Sequence, residues 1–170
     1  MYSVSVPVPP EVRELIREFR PLLTGFDRVR GQRTATLVVK RLDAADRREY
    51  LRAARQAKQA LRGAPTFDVR ISDVGVFEEP TGGTAPVVYL AVESPGLWTV
   101  HRQLVAELGR IPELEGDDYT PHVTLARDGP REAVERVRDY DFEPVTWTVE
   151  ELEFYDAENK ERIESVSLPA

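Results

Sequence analysis

The sequence contains very little of three residue types that carry chemistry, namely Cys, His and Lys. The chain has 170 residues, no Cys and only two His, and of its 23 basic residues only Lys40, Lys58 and Lys160 are Lys. Without Cys, disulfides, thiol catalysis and thiolate metal sites are excluded, and two His are too few for most zinc sites. We therefore expect no metal and no cofactor.

Long apolar runs are also missing. No stretch approaches the roughly 20 apolar residues of a membrane span, and the first residues lack a basic region followed by an apolar signal segment. The sequence therefore predicts a cytoplasmic protein that does not contact a membrane. A composition of 41% hydrophobic and 31% charged residues is typical of a soluble globular protein, and the length favours one domain, spanning residues 1–170. We also expect the protein to be a monomer.

Positive charge is in deficit, since the net charge is −7. Proteins that coat nucleic acid nonspecifically neutralise phosphates with a basic face, so this balance argues against that class. A local basic pocket remains open. The cationic side chains are almost all guanidinium, which suits bidentate phosphate contacts, although a coding or habitat bias explains the Arg excess equally well.

Hydrophobic periodicity predicts a mixed α+β protein. Apolar residues at three- and four-residue spacing indicate helices, and period-two alternation indicates strands. Asp46, with Glu49 three residues on, resembles a helix capping box. The expected helices are 11–23, 46–61, a third that begins at 94 or 95, and 131–140; the expected strands are 2–8, 34–40, 67–77, 86–92, 119–127, 145–149, 152–156 and 162–168.

One stretch concentrates chemically useful side chains, from Tyr119 to Arg127. On a strand, His122 and Thr124 share one face while Val123 and Leu125 occupy the other. An imidazole exchanges protons near neutral pH, a hydroxyl can hydrogen-bond an anion, and a guanidinium adds positive charge. The stretch predicts either a phosphate-handling site or an ordinary edge strand with a polar outer face.

The order of elements repeats, which predicts two split βαβ lobes with helices outside mostly antiparallel sheets. In the first half, Thr34-Ala35-Thr36-Leu37 takes the place of His122-Val123-Thr124-Leu125, and each is followed by a cation, Lys40 or Arg127. Two copies facing each other about a pseudo-twofold axis would line a central cleft. We expect Thr34, Thr36, His122 and Thr124 on its floor. The other His, His101, lies on the apolar stripe of a helix and is expected to be a packed side chain.

The chain resembles the 2H phosphoesterase superfamily, and within it the 2'-5' RNA ligase-like and cyclic phosphodiesterase group. The resemblance covers nearly the whole chain in element order, and its most specific part is Pro121-His122-Val123-Thr124-Leu125-Ala126-Arg127. It implies a bilobal fold, in which two His act as general acid and base on a 2',3'-cyclic phosphate or related RNA end without a metal. It also implies that Thr or Ser side chains hold the phosphate oxygens. In addition, we expect Arg127, Lys40 and Tyr119 to contact the phosphate.

The first motif departs from that family, because Thr34 stands where the resemblance implies a His. A Thr hydroxyl cannot act as acid or base near pH 7, and losing one such group lowers a rate by roughly a hundred- to ten-thousand-fold. Lys40, Arg33 and Tyr119 are candidates for a group recruited in place of the missing His. Three interpretations stay open: an enzyme that hydrolyses or ligates such ends and is weakened by this loss, a binding module for a nucleotide or RNA end, and a noncatalytic interaction protein.

Overall fold

The computed structural model describes all 170 residues as nine strands and four helices. The strands are β1 (Tyr2–Val6), β2 (Arg28–Val29), β3 (Leu37–Leu42), β4 (Phe67–Phe77), β5 (Val87–Glu93), β6 (His122–Arg127), β7 (Val145–Val149), β8 (Glu151–Asp156) and β9 (Glu161–Ser167). The helices are α1 (Pro10–Phe19), α2 (Arg47–Ala60), α3 (Pro95–Leu108) and α4 (Arg131–Arg138).

Two antiparallel sheets form the framework. The first has four strands in the order β3-β1-β8-β9, and the second has five in the order β2-β6-β5-β4-β7. The predicted α+β fold with two facing lobes is confirmed. The lobes are interleaved along the chain, because the first sheet combines two early strands with the last two.

The helices begin where the sequence supplies caps. The Asp46 carboxylate accepts from the Glu49 N–H at 2.9 Å, and Glu49 in turn accepts from the Ala45 N–H at 2.7 Å. The Ser94 hydroxyl accepts from the Leu97 N–H at 3.1 Å and starts α3. These side chains satisfy backbone N–H groups that have no partner within the helix.

Several predicted boundaries were wrong by a few residues. Helix α1 ends at Phe19 rather than at 23, because Pro21 has no N–H to continue it and Arg20–Leu23 forms a 3-10 turn. Strand β3 begins at Leu37, so Thr34 and Thr36 precede it. Strand β2 was not predicted, because its two exposed residues leave no apolar pattern to detect.

One hydrophobic core of 35 buried residues joins the two sheets. It includes Val4 and Phe154 from the first sheet and Leu90 and Val123 from the second. Strands β3 and β6, one from each sheet, lie next to each other. The fold therefore places the two stretches that carry the predicted site side by side.

Candidate functional site

Strand β6 turns three polar side chains to the same side. His122, Thr124 and Arg127 are partly exposed, whereas Val123, Leu125 and Ala126 are buried. Strict alternation would send Arg127 to the buried face, but the pairing with β5 shifts register between Val88 and Tyr89. This irregularity puts two consecutive β6 residues inside and returns Arg127 to the His122 side.

The imidazole of His122 is oriented by the backbone. Its Nδ1–H donates to the Thr120 carbonyl oxygen at 2.7 Å, which leaves Nε2 free. The rings of Phe77 and Tyr89 meet the imidazole edge to face, at 5.1 and 5.4 Å between centroids. His122 is thus held in one tautomer against an aromatic wall.

The surroundings of His122 favour its neutral form. Burial lowers the pKa of the imidazole below its usual value, the hydrogen bond to Thr120 works in the opposite direction, and the guanidinium groups of Arg41, Arg127 and Arg30 lower it further. At neutral pH the free Nε2 can therefore accept a proton. Three guanidinium groups near one imidazole also form a positive environment suited to an anion.

Strand β3 repeats the geometry of β6. Its pairing with β1 shifts register between Val4 and Ser5, so that Val39 and Lys40 are both buried while Val38 and Arg41 remain partly exposed. The two registers match when Val38 is set equivalent to Thr124 and Arg41 to Arg127, since Ser5 faces Val38 as Tyr89 faces Thr124.

This equivalence corrects the predicted alignment of the two motifs. Thr36, not Thr34, occupies the place of His122, and Val38, not Thr36, occupies that of Thr124. Thr34 lies in the turn before β3, where its hydroxyl donates to the Gly31 carbonyl oxygen at 3.2 Å. The sequence contained a usable signal, because Arg41 follows Thr36 by five residues as Arg127 follows His122.

A cleft of about 200 Å³ lies beside β3 and is bordered by the first sheet. Thr34 and Thr36 both line it, together with Arg30, Arg41 and Tyr155. Arg30 and Arg41 are also the groups that lower the pKa of His122, so they connect the cleft to the β6 side chains. The structure therefore brings both predicted Thr residues of the first motif to a basic cleft near His122.

Two predicted phosphate ligands have structural partners instead. Lys40 is 3% exposed, and its Nζ donates to Glu115 Oε1 at 2.6 Å and to the Arg41 carbonyl oxygen at 2.8 Å. Tyr119 is 6% exposed, and its hydroxyl donates to the Val38 carbonyl oxygen at 2.7 Å. Both were assigned to phosphate because they adjoin the motifs, but their polar atoms are already used within the fold.

Arg127 and His101 also make hydrogen bonds within the fold. Arg127 donates from Nη1 to the carbonyl oxygens of Gly82 at 2.9 Å and Thr84 at 3.3 Å, which anchors the hairpin loop between β4 and β5. His101 is fully buried, as expected, between the Val39 carbonyl oxygen and the Gly116 N–H, and it stacks on Tyr119 at 3.8 Å.

Four site residues were not predicted, namely Arg30, Arg41, Phe77 and Tyr89. They come from four separate elements or loops, so no local motif contains them. No group of three or more His, Asp or Glu side chains is arranged to hold a metal ion. None of the four helices has the length and apolar character needed to cross a membrane.

A basic cleft bordered by the first sheet, with the His-x-Thr strand β6 of the second sheet next to β3, is the arrangement expected of the 2H phosphoesterase superfamily. The family model described as the 2'-5' RNA ligase superfamily matches residues 8–161. The chain belongs to this superfamily.

Several solved structures share this fold. TT0787 of Thermus thermophilus is 22% identical, with a TM-score of 0.70 over 98% of this chain and 97% of that chain. Escherichia coli LigT complexed with 3'-AMP is 18% identical, with a TM-score of 0.72 over 99% and 98%. LigT complexed with NADP⁺ is 20% identical, with a TM-score of 0.71 over 99% and 97%. A search of curated proteins found no significant match.

Proposed function

We propose that this protein binds 2',3'-cyclic phosphate or 2'-5' linked ends of RNA or nucleotides and cleaves their phosphodiester bond by metal-independent acid and base catalysis. The observation that supports this proposal most directly is His122, whose Nε2 is free while its Nδ1–H donates to Thr120. Its lowered pKa and the guanidinium groups around it suit a base acting beside an anion.

Hydrolysis of a cyclic phosphodiester requires a proton acceptor and positive charge beside the phosphate. Water attacks phosphorus and loses a proton, while the ribose oxygen on the opposite side leaves and gains one. In our proposal His122 Nε2 takes the proton from water. Positive charge is needed as the nonbridging oxygens become more negative, and the guanidinium groups of Arg41, Arg30 and Arg127 supply it.

Hydroxyl groups complete the proposed site. Thr124 lies two residues from His122 on the same face of β6. Its hydroxyl can donate to a phosphate oxygen, and Thr36 can do the same from the cleft wall. The LigT structures complexed with 3'-AMP and with phosphate support a nucleotide end as the ligand of this fold.

A second candidate function is binding without turnover. It is favoured by Thr36 and Val38, which occupy the places of His122 and Thr124 in the other half and carry no group that titrates near neutral pH. Such a protein would hold an RNA or nucleotide end with its Arg residues and release it unchanged.

One pair of measurements separates the two candidates. Hydrolysis of 2',3'-cyclic nucleotides is followed with EDTA present, and binding of 3'-AMP is titrated in parallel. For the wild type we expect turnover, and for His122→Ala and His122→Gln a loss of roughly a hundred- to ten-thousand-fold in kcat. His122→Gln is the matched control, since it keeps a polar side chain but cannot transfer a proton.

Each result decides between the candidates. Turnover that depends on His122 supports the enzyme. Binding that Arg41→Gln weakens, with no turnover by any variant, supports the binding module. Turnover unchanged in both His122 variants, or neither turnover nor binding at millimolar ligand, would contradict both.

A further inference from the structure

Glu153 is a carboxylate on the cleft side of the first sheet. Directly paired residues of antiparallel strands point to the same face. Ser3 pairs with Arg41 on β3 and with Tyr155 on β8, and all three line the cleft. Two residues further along β1, Ser5 pairs with Val38 and with Glu153. Glu153 therefore shares the face that forms the cleft wall.

The carboxylate of Glu153 has no partner in the fold. Glu153 is partly exposed, and it makes no side-chain hydrogen bond and no ion pair, whereas Glu151 on the same strand meets Arg162 at 3.4 Å. Most half-buried carboxylates are held by a donor, because an unpaired charge is costly to desolvate. A free carboxylate in this position is available to something outside the fold.

Comparison of the two sheets shows where this side chain lies relative to the motif. In the second sheet, the residues paired across β6, β5 and β4 at the equivalent position are Thr124, Tyr89 and Gly75. The Tyr89 ring lies over Gly75, where a side chain would overlap the ring, and it also contacts the His122 imidazole. In the first sheet the order of sizes is reversed. Ser5 on β1 is small and Glu153 on the next strand is long. The space over β1 that corresponds to the one Tyr89 fills over β5 is therefore left open towards the Glu153 side chain.

We propose that Glu153 is the second proton-transfer residue of the cleft, taking the role of the imidazole that Thr36 lacks. This inference rests on the proposed function. As water attacks, a bond forms between its oxygen and phosphorus, and its proton goes to His122 Nε2. The bond from phosphorus to the ribose oxygen breaks, and that oxygen takes the proton of the Glu153 carboxylic acid. Solvent then removes the proton from His122 and restores the one on Glu153.

The charges around Glu153 suit the acid role. Burial raises the pKa of its carboxyl, Glu151 on β8 raises it further, and Arg162 on β9 and Arg13 on α1 lower it. Tyr155 on β8 faces the same region. The pKa of Glu153 is raised and the pKa of His122 is lowered, so the difference between the two pKa values becomes smaller. A smaller difference between these pKa values increases the fraction of molecules in which His122 is neutral and Glu153 is protonated, which is the active combination.

The test is the pH profile of kcat/KM for 2',3'-cyclic nucleotide hydrolysis. With two groups the wild type should show a bell-shaped profile. Glu153→Gln should lower kcat by roughly a hundredfold. Its profile should rise as His122 loses its proton and then stay level, because no second group remains to titrate. The control is Glu151→Gln, which removes the neighbouring carboxylate on the same face and should keep a bell-shaped profile and a rate within about twofold.

A rescue variant keeps the result independent of folding. If Glu153 stands in for a missing imidazole, Thr36→His in the Glu153→Gln background should restore at least tenfold of the lost rate. Binding of 3'-AMP should stay within a few-fold throughout, since a proton donor is not needed to hold a nucleoside monophosphate.

The failures of the two proposals are distinguishable. Wild-type turnover that depends on His122 but is unchanged in Glu153→Gln would overturn the role of Glu153 alone. A loss in Glu153→Gln that Thr36→His leaves uncorrected and that keeps the bell-shaped profile would also overturn it. Turnover that does not depend on His122 would overturn the proposed function itself.

Discussion

At the scale of single residues, the two halves of the cleft have diverged in different ways. The β6 half has a titratable side chain, a hydroxyl and a guanidinium at His122, Thr124 and Arg127. The equivalent positions of the β3 half carry Thr36, Val38 and Arg41. A guanidinium stays protonated at any physiological pH. Both halves can therefore stabilise a phosphate, but only one has an imidazole to move its protons.

The structural register predicts which single change restores the first motif. Thr36→His should raise kcat for cyclic nucleotide hydrolysis at neutral pH by about tenfold or more, because an imidazole is protonated in a larger fraction of molecules at that pH than a carboxyl such as that of Glu153. Thr34→His is the matched control and should have little effect, since Thr34 lies in the turn before β3. Steady-state kinetics of both variants checks this. A gain in Thr34→His with none in Thr36→His would show that the alignment inferred from the sequence was the right one.

At the scale of elements, one buried ion pair connects the two motif strands. Glu115, in the segment that leads to β6, accepts from Lys40 Nζ at 2.6 Å, the Ile111 N–H at 2.8 Å and the Arg41 N–H at 3.0 Å. The carboxylate is 1% exposed, so the fold compensates its desolvation with three donors. This contact fixes β3 against the segment that positions His122.

Breaking that pair should be costly. Lys40→Met leaves the Glu115 charge buried with fewer donors, and we expect the free energy of unfolding to fall by about 3 to 5 kcal/mol. The control is Arg131→Ala, which removes the exposed pair with Glu135 on α4 and should change it by at most about 0.5 kcal/mol. Urea denaturation measures both. A loss below about 1 kcal/mol for Lys40→Met would contradict this account of the contact.

The elements also show how far sequence reasoning extends. Helix faces, the Asp46 and Ser94 caps and the strand character of β6 follow from periodicity and side-chain chemistry, which act locally. The register of β3 does not, because an extra residue at Val39 and Lys40 is set by pairing with β1. Lys40 was predicted to be a phosphate ligand because it follows the first motif. Its actual partner, Glu115, is 75 residues away and could not be identified from local sequence. Arg30 and Phe77 reach the site only through the tertiary fold.

At the scale of the whole molecule, the charge distribution is uneven. The net charge is −7, yet Arg30, Arg41 and Arg127 all lie close enough to His122 to lower its pKa. An acidic exterior disfavours nonspecific contact with nucleic acid, and a local group of guanidinium side chains attracts a phosphate at one place. This combination supports the proposed binding of a nucleotide or RNA end rather than of a long stretch of nucleic acid.

The shared core predicts that the two sheets unfold together. The 35 buried residues form one cluster across both sheets, and α3 contacts both β3 and β4. The two Trp residues report on the two sides, since Trp98 packs on Tyr119 beside β3 at 5.1 Å and Trp147 lies on β7 of the second sheet. In Trp98→Phe and Trp147→Phe, each with one Trp left, the fluorescence midpoint in urea should coincide with the far-UV circular dichroism midpoint of the same variant. Fluorescence midpoints that depart from circular dichroism in opposite directions would instead show that the lobes are separate folding units, and the cleft between them would then depend on how two independent parts meet.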